Sequence, residues 1–201
     1  TSHSSGRLRR RLTPALYVMS HSLDLAGLYQ KLFLLRHFVA GNKEFSRREQ
    51  QYQGTQSSPS KDWDDYAGRL RNIVSNDLIE IAAKFRVTQD TAVSQVSADY
   101  LRTLDVECIG DKRIGSVLAG DVTLTLRESC NKIIHATEFN LVFQNARSAV
   151  PRHLYSYWNG ICQLGGTHSK KEWRVALDVY RWADAMDHFL GDLAENVEWG
   201  W

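Results

Sequence analysis

Near the C-terminus the apolar residues change period within a few positions, and that change restricts the fold more than any other feature. Trp173, Val175, Leu177 and Val179 alternate with Arg174, Ala176 and Asp178. This is the two-residue period of a strand with one buried face. From Tyr180 to Leu193 the apolar positions Trp182, Met186, Phe189 and Leu190 return at helical steps. Upstream, His153 to Trp158 and Ile161 to Leu164 flank Asn159-Gly160. That pattern reads either as a hairpin turning at the glycine or as one long strand bulged there. A loop is expected from Gly165-Gly166, and Asn140 to Phe143 reads as a further short strand. The sheet is therefore expected to be small, antiparallel and packed against helices.

The rest of the chain is mainly helical in pattern. Thr13-Pro14 offers a cap and a first helical position. Leu25, Leu28, Leu32, Leu35 and Val39 recur at three- and four-residue steps, with Gly41-Asn42 as a stop signal. Residues 41–60 read as an exposed polar connection. From Lys61 to Lys84 a second helix presents Trp63, Tyr66, Leu70, Ile73, Val74, Leu78, Ile81 and Phe85, with acidic residues in its first turn. A weaker helix is expected over 88–103, and Leu104 to Ile109 alternates as a short strand would. The expected fold class is α+β: a mainly helical domain with a small antiparallel sheet formed largely by the last third. Residues 1–12 read as a flexible basic arm, and 13–201 as a single α+β domain.

Composition narrows the function classes only a little. With 201 residues, 43% of them hydrophobic, the chain can bury a real core. The net charge of +2 neither announces nor excludes a nucleic-acid partner. No apolar run approaches membrane-spanning length. Cys108, Cys130 and Cys162 have no metal-ligand spacing and imply no disulfide framework, which fits a reducing, cytoplasmic setting. No cofactor and no metal is expected.

The stretch from Asp121 to Phe139 carries the candidate chemistry. Val122, Leu126, Cys130, Ile133 and Ile134 form one helical stripe, and Asp121 stands where an N-cap is wanted. Arg127, Asn131 and His135 are spaced i, i+4, i+8 and stack along the flank of that stripe. Arginine can hold a phosphate, an amide can orient a reacting group, and histidine can exchange a proton. Together they suit metal-independent RNA cleavage; the bland alternative is a polar flank that only fixes packing. Glu128 and Lys132 read as an ordinary surface pair. Asp184 and His188 share one helix face, where a metal ion is conceivable in chemistry but lacks a third ligand. Lys170, Lys171 and Arg174 suit phosphate contact, and Tyr155, Tyr157, Trp158 and Trp173 suit base stacking if exposed.

The run from Leu126 to Ala136 resembles the HEPN superfamily (higher eukaryotes and prokaryotes nucleotide-binding). Many of its members are dimeric, metal-independent ribonucleases, with an Arg, a following polar residue and a His after four to six intervening positions. Here seven residues stand between Arg127 and His135. The resemblance implies RNA or nucleotide as partner, Arg127 as phosphate ligand, Asn131 as orienter and His135 as general acid and base. The other reading is a non-catalytic protein-interaction or regulatory domain with a protein partner. A homodimer suits both, because the apolar surface of residues 23–39 is broad.

Overall fold

A computed structural model describes residues 24–55, 58–59, 61–149 and 153–197. The expected basic arm and the helical start at Thr13-Pro14 lie outside them. Helix α1 (Leu25–Arg48) opens on Asp24, whose carboxylate accepts from Gly27 N. A small two-stranded ribbon, β1 (Gly54–Thr55) and β2 (Ser58–Pro59), leads to α2 (Lys61–Ala92). Next come α3 (Ala98–Ile109), strand β3 (Gly115–Ala119) and the short helix α4 (Leu126–Ile134). Strands β4 (Glu138–Arg147), β5 (Leu154–His168) and β6 (Lys171–Asp178) follow, and α5 (Val179–Asn196) ends the described chain. Asp178 closes β6 and caps α5 by accepting from Arg181 N, so the strand runs straight into the helix. The expected change of period is met at that residue.

The four larger strands form one antiparallel sheet in the order β3-β6-β5-β4. Its buried face is written in the alternation of Trp158, Cys162 and Leu164 on β5 and Trp173, Val175 and Leu177 on β6. These side chains join Leu28, Leu32 and Leu35 of α1, Phe85 of α2, and Trp182, Met186 and Phe189 of α5 in one core. α1 packs on β5 and α5, while α2 packs on α4. The α+β expectation, mainly helical with a small antiparallel sheet late in the chain, describes this architecture. The sheet also overturns the HEPN resemblance, because that superfamily's fold is all helical.

Several local expectations are corrected. α1 does not stop at Gly41-Asn42 but runs on to Arg48. The Asn42 amide is consumed by tertiary partners, with Oδ1 accepting from Trp158 N and Nδ2 donating to Tyr66 Oη. Residues 41–48 of the expected polar connection are thus helix. Residues 104–109 are helical, not strand: Leu101, Leu104, Asp105 and Cys108 are buried at helical steps, while Val106 is 65% exposed. The alternation there was a coincidence of composition. β5 is one continuous strand with a register shift against β4 between Leu141 and Phe143, as the bulged reading allows. Gly160 (φ +86°) sits there because a Cβ would come within 2.6 Å of Val39 Cγ1. The loop expected at Gly165-Gly166 is strand instead. The turn falls at Ser169 and Lys170, both at positive φ.

The central helix is much shorter than its sequence pattern. Gly120 (φ +88°) lies against the backbone of Glu172 and Trp173, where a Cβ would be 2.9 Å from a carbonyl oxygen. Residues 122–125 are not helical, so Asp121 caps nothing. Thr125 is the cap, accepting from Glu128 N at 3.0 Å. Asp105 from α3 adds a second anchor, accepting from Leu126 N at 2.7 Å and Arg127 N at 3.1 Å. Beyond Ile134 the chain leaves the helix, Thr137 N donates to Gly165 O, and sheet pairing takes over.

Candidate functional site

A polar cleft of about 680 Å³ opens between α4, α2 and the β5–β6 hairpin. α4 contributes Glu128, Asn131, Lys132 and His135. The first three follow from helical spacing, and His135 is the residue on which the helix ends. α2 contributes Arg86, the hairpin contributes Thr167 and His168, and Trp173 is a buried wall.

The polar groups form a partly closed network. Arg86 Nη1 donates to Asn131 Oδ1, and Asn131 Nδ2 donates to Glu128 Oε2 at 2.8 Å. Lys132 Nζ pairs with Glu128 Oε1 at 3.0 Å and lies 4.6 Å from the centre of the Trp173 ring. Partial burial works against charge on Glu128, but the bonds from Asn131 and Lys132 and the nearby Arg86 outweigh it. Its carboxyl is held below the usual range. Glu128 therefore neutralises Lys132 and leaves Arg86 poorly matched. The nearest Arg86 contact with Asp90 is 3.9 Å, too long for a hydrogen bond, and Arg86 Nε is buried with no acceptor. Such an orphan donor costs about 1–3 kcal/mol. The rings of His135 and His168 make no hydrogen bond among the described residues, and both are exposed.

Of the three residues singled out in the sequence, Asn131 and His135 line this cleft, and Arg127 does not. The Arg127 guanidinium turns to α2, donating to Asp90 Oδ1 at 2.8 Å and Gln89 Oε1 at 3.2 Å. One helical turn of separation is enough to give it a different neighbour. Arg86, Lys132 and His168 were missed. Glu128 and Lys132 looked like surface decoration, and no sequence signal brings Arg86, 45 residues upstream of Asn131, to the same place.

The other candidate constellations are otherwise occupied. Asp184 is held by Arg36 Nη1 at 3.0 Å and Lys112 Nζ at 2.6 Å, and its partner His188 is hydrogen-bonded to the Asp184 carbonyl. No group of three metal-ligating side chains occurs among the described residues. Of the four aromatic residues expected to stack bases, Tyr155, Trp158 and Trp173 are buried, and the half-buried Tyr157 ring has Lys43 Nζ 5.2 Å from its centre. Arg174 is exposed and lies 4.0 Å from Glu138. Cys108 contacts Asp192 at 3.9 Å, and burial above all pushes its thiol up to about 12, far from a reactive thiolate. No described helix is long and apolar enough to cross a membrane.

No protein-family model, no curated protein and no solved structure matches this chain. With the sheet already at odds with the HEPN fold, the expectation of an RNA- or nucleotide-binding HEPN-like protein, and of a ribonuclease, is overturned.

Proposed function

We propose that the α4 cleft binds a small oxyanion-bearing molecule, a carboxylate or a phosphate. The observation that carries this reading is Arg86. Its guanidinium is permanently charged, is paired mainly with a neutral amide, and keeps its Nε buried without an acceptor. An incoming oxyanion meets the part of the Arg86 side chain that stays exposed and supplies the missing charge. In this reading Asn131 orients Arg86, and His135 at the end of α4 and His168 at the end of β5 offer donors or acceptors to the cleft. Glu128 keeps Lys132 in place over Trp173. Arg127 has a positioning role, tying α4 to α2 through Asp90.

The cleft volume falls in the usual range for small-ligand sites, roughly 300–1,000 Å³. Its polar lining suits a small hydrophilic ligand rather than an apolar one. The test is a titration of the full chain with inorganic phosphate and, separately, with malonate. The Arg86 side-chain NH and the imidazole carbons of His135 and His168 are followed by NMR. Saturable shifts at Arg86 are expected, and a concentration of 100 Kd should stabilise the fold by about 2.7 kcal/mol. The relative affinities separate phosphate from carboxylate. If neither anion perturbs Arg86 in a saturable way, the proposal fails.

A further inference from the structure

A second concavity, of about 470 Å³, runs between α1 and α2 and is of opposite character. Leu34, Phe38, Phe45 and Ile73 line it and remain 39–51% exposed. Most of its polar groups are already satisfied within the chain. Asn42 Nδ2 donates to Tyr66 Oη at 2.8 Å, and His37 Nδ1 lies 2.8 Å from Phe33 O. Arg69 is the exception: it lines the groove, is exposed, and makes no ion pair or hydrogen bond among the described residues.

An apolar trough with one unneutralised guanidinium has a defined chemical complement. We propose that this groove binds a medium-chain carboxylate, with its alkyl body on Leu34, Phe38, Phe45 and Ile73 and its head group on Arg69. The apolar body is the only kind that gains by covering those side chains, at roughly 25 cal/mol per Å² removed from water. The head group makes the charge-assisted contact that Arg69 lacks. Charge also argues against a second copy of the chain as occupant. An isologous contact through this groove would bring two unneutralised Arg69 groups into one interface, and such like-charge pairing opposes association.

Gly41 makes the proposal testable without disturbing the fold. It lines the groove in the interior of α1, and a Cβ there would meet nothing within 4 Å. Gly41→Leu therefore fills the trough while improving helix propensity. The experiment is calorimetric titration of the full chain with dodecanoate below its micelle-forming concentration, with dodecanol as the uncharged counterpart. Circular dichroism checks the fold of each variant. Saturable dodecanoate binding is expected in the native chain. It should be abolished by Gly41→Leu and weakened about tenfold by Arg69→Gln, with dodecanol unaffected by the latter. No binding to the native chain, or equal binding to folded Gly41→Leu, overturns the proposal. So does an Arg69→Gln variant with unchanged dodecanoate affinity. Concentration-dependent sedimentation abolished by Gly41→Leu would instead assign the groove to a second copy. His135→Ala should leave dodecanoate binding intact, so failure here and failure of the α4 cleft are separable.

Discussion

The α4 cleft and the α1–α2 groove both open to solvent, yet their walls are organised differently. The cleft is built on a buried residue, Trp173, with an ionic network above it that is complete except at Arg86. The groove is built largely from the outer faces of two long helices whose inner faces carry the core through Leu32, Leu35, Val74 and Leu78. Removing parts of the cleft should therefore damage the fold, while removing parts of the groove should not. An incomplete polar network and an uncovered apolar face are different signals. The first implicates a ligand that completes hydrogen bonds, and the second a ligand that brings apolar surface.

The largest expected effect is Trp173→Ala, which strips the cleft of its wall and the sheet of a core residue. It should cost about 3–5 kcal/mol in urea unfolding; a loss near zero would show that the cleft does not rest on the core. Asp105→Ala comes next. It removes the acceptors for the first two amides of α4 and should cost about 1–3 kcal/mol. Faster hydrogen exchange at Leu126 and Arg127 should accompany it, and Asp105→Asn, which keeps one acceptor, should lose less.

Glu128→Gln is expected to act mainly through pH. Folding lowers the Glu128 pKa, so between the folded and unfolded values the unfolded chain binds more protons. The resulting stability is present above the ordinary carboxylate value of 4.5 and is lost as pH falls through the folded value. The native chain should thus lose its advantage over Glu128→Gln on acidification. A constant difference down to acid pH would deny the carboxylate its part in the network. Smallest of all, Ile73→Thr in the groove should change stability by no more than about 0.5 kcal/mol. A loss of several times that would mean the groove wall belongs to the core and is not a free surface.

Legibility in the sequence followed the range of the interactions. Trp173 to Asp178 and the helix after it were readable because one periodicity settled each. Leu104 to Ile109 misled, since a window of six residues fits both periods and only the burial of Cys108 beside the exposure of Val106 decides between them. The end of α1 misled for another reason: Asn42 is a stop signal unless a distant strand, here at Trp158, offers its amide a partner. At the candidate site, the helix carrying Asn131 and His135 was visible. Arg86 was not, and its absence made Arg127 look like the cation that mattered.

By itself the sequence determined the mixed α+β class, the late position of the sheet, and the amphipathic faces of the long helices. Those features depend on local backbone geometry and on water's exclusion of apolar side chains, which repeat along the chain at fixed periods. Only the tertiary structure decided where α4 begins and ends, which arginine reaches Asn131, and which apolar faces stay uncovered. These depend on pairings between residues far apart in sequence, such as Asp105 with Leu126, Arg86 with Asn131 and Gly165 with Thr137. No local pattern encodes such pairings. They are settled only when the whole core has chosen one arrangement.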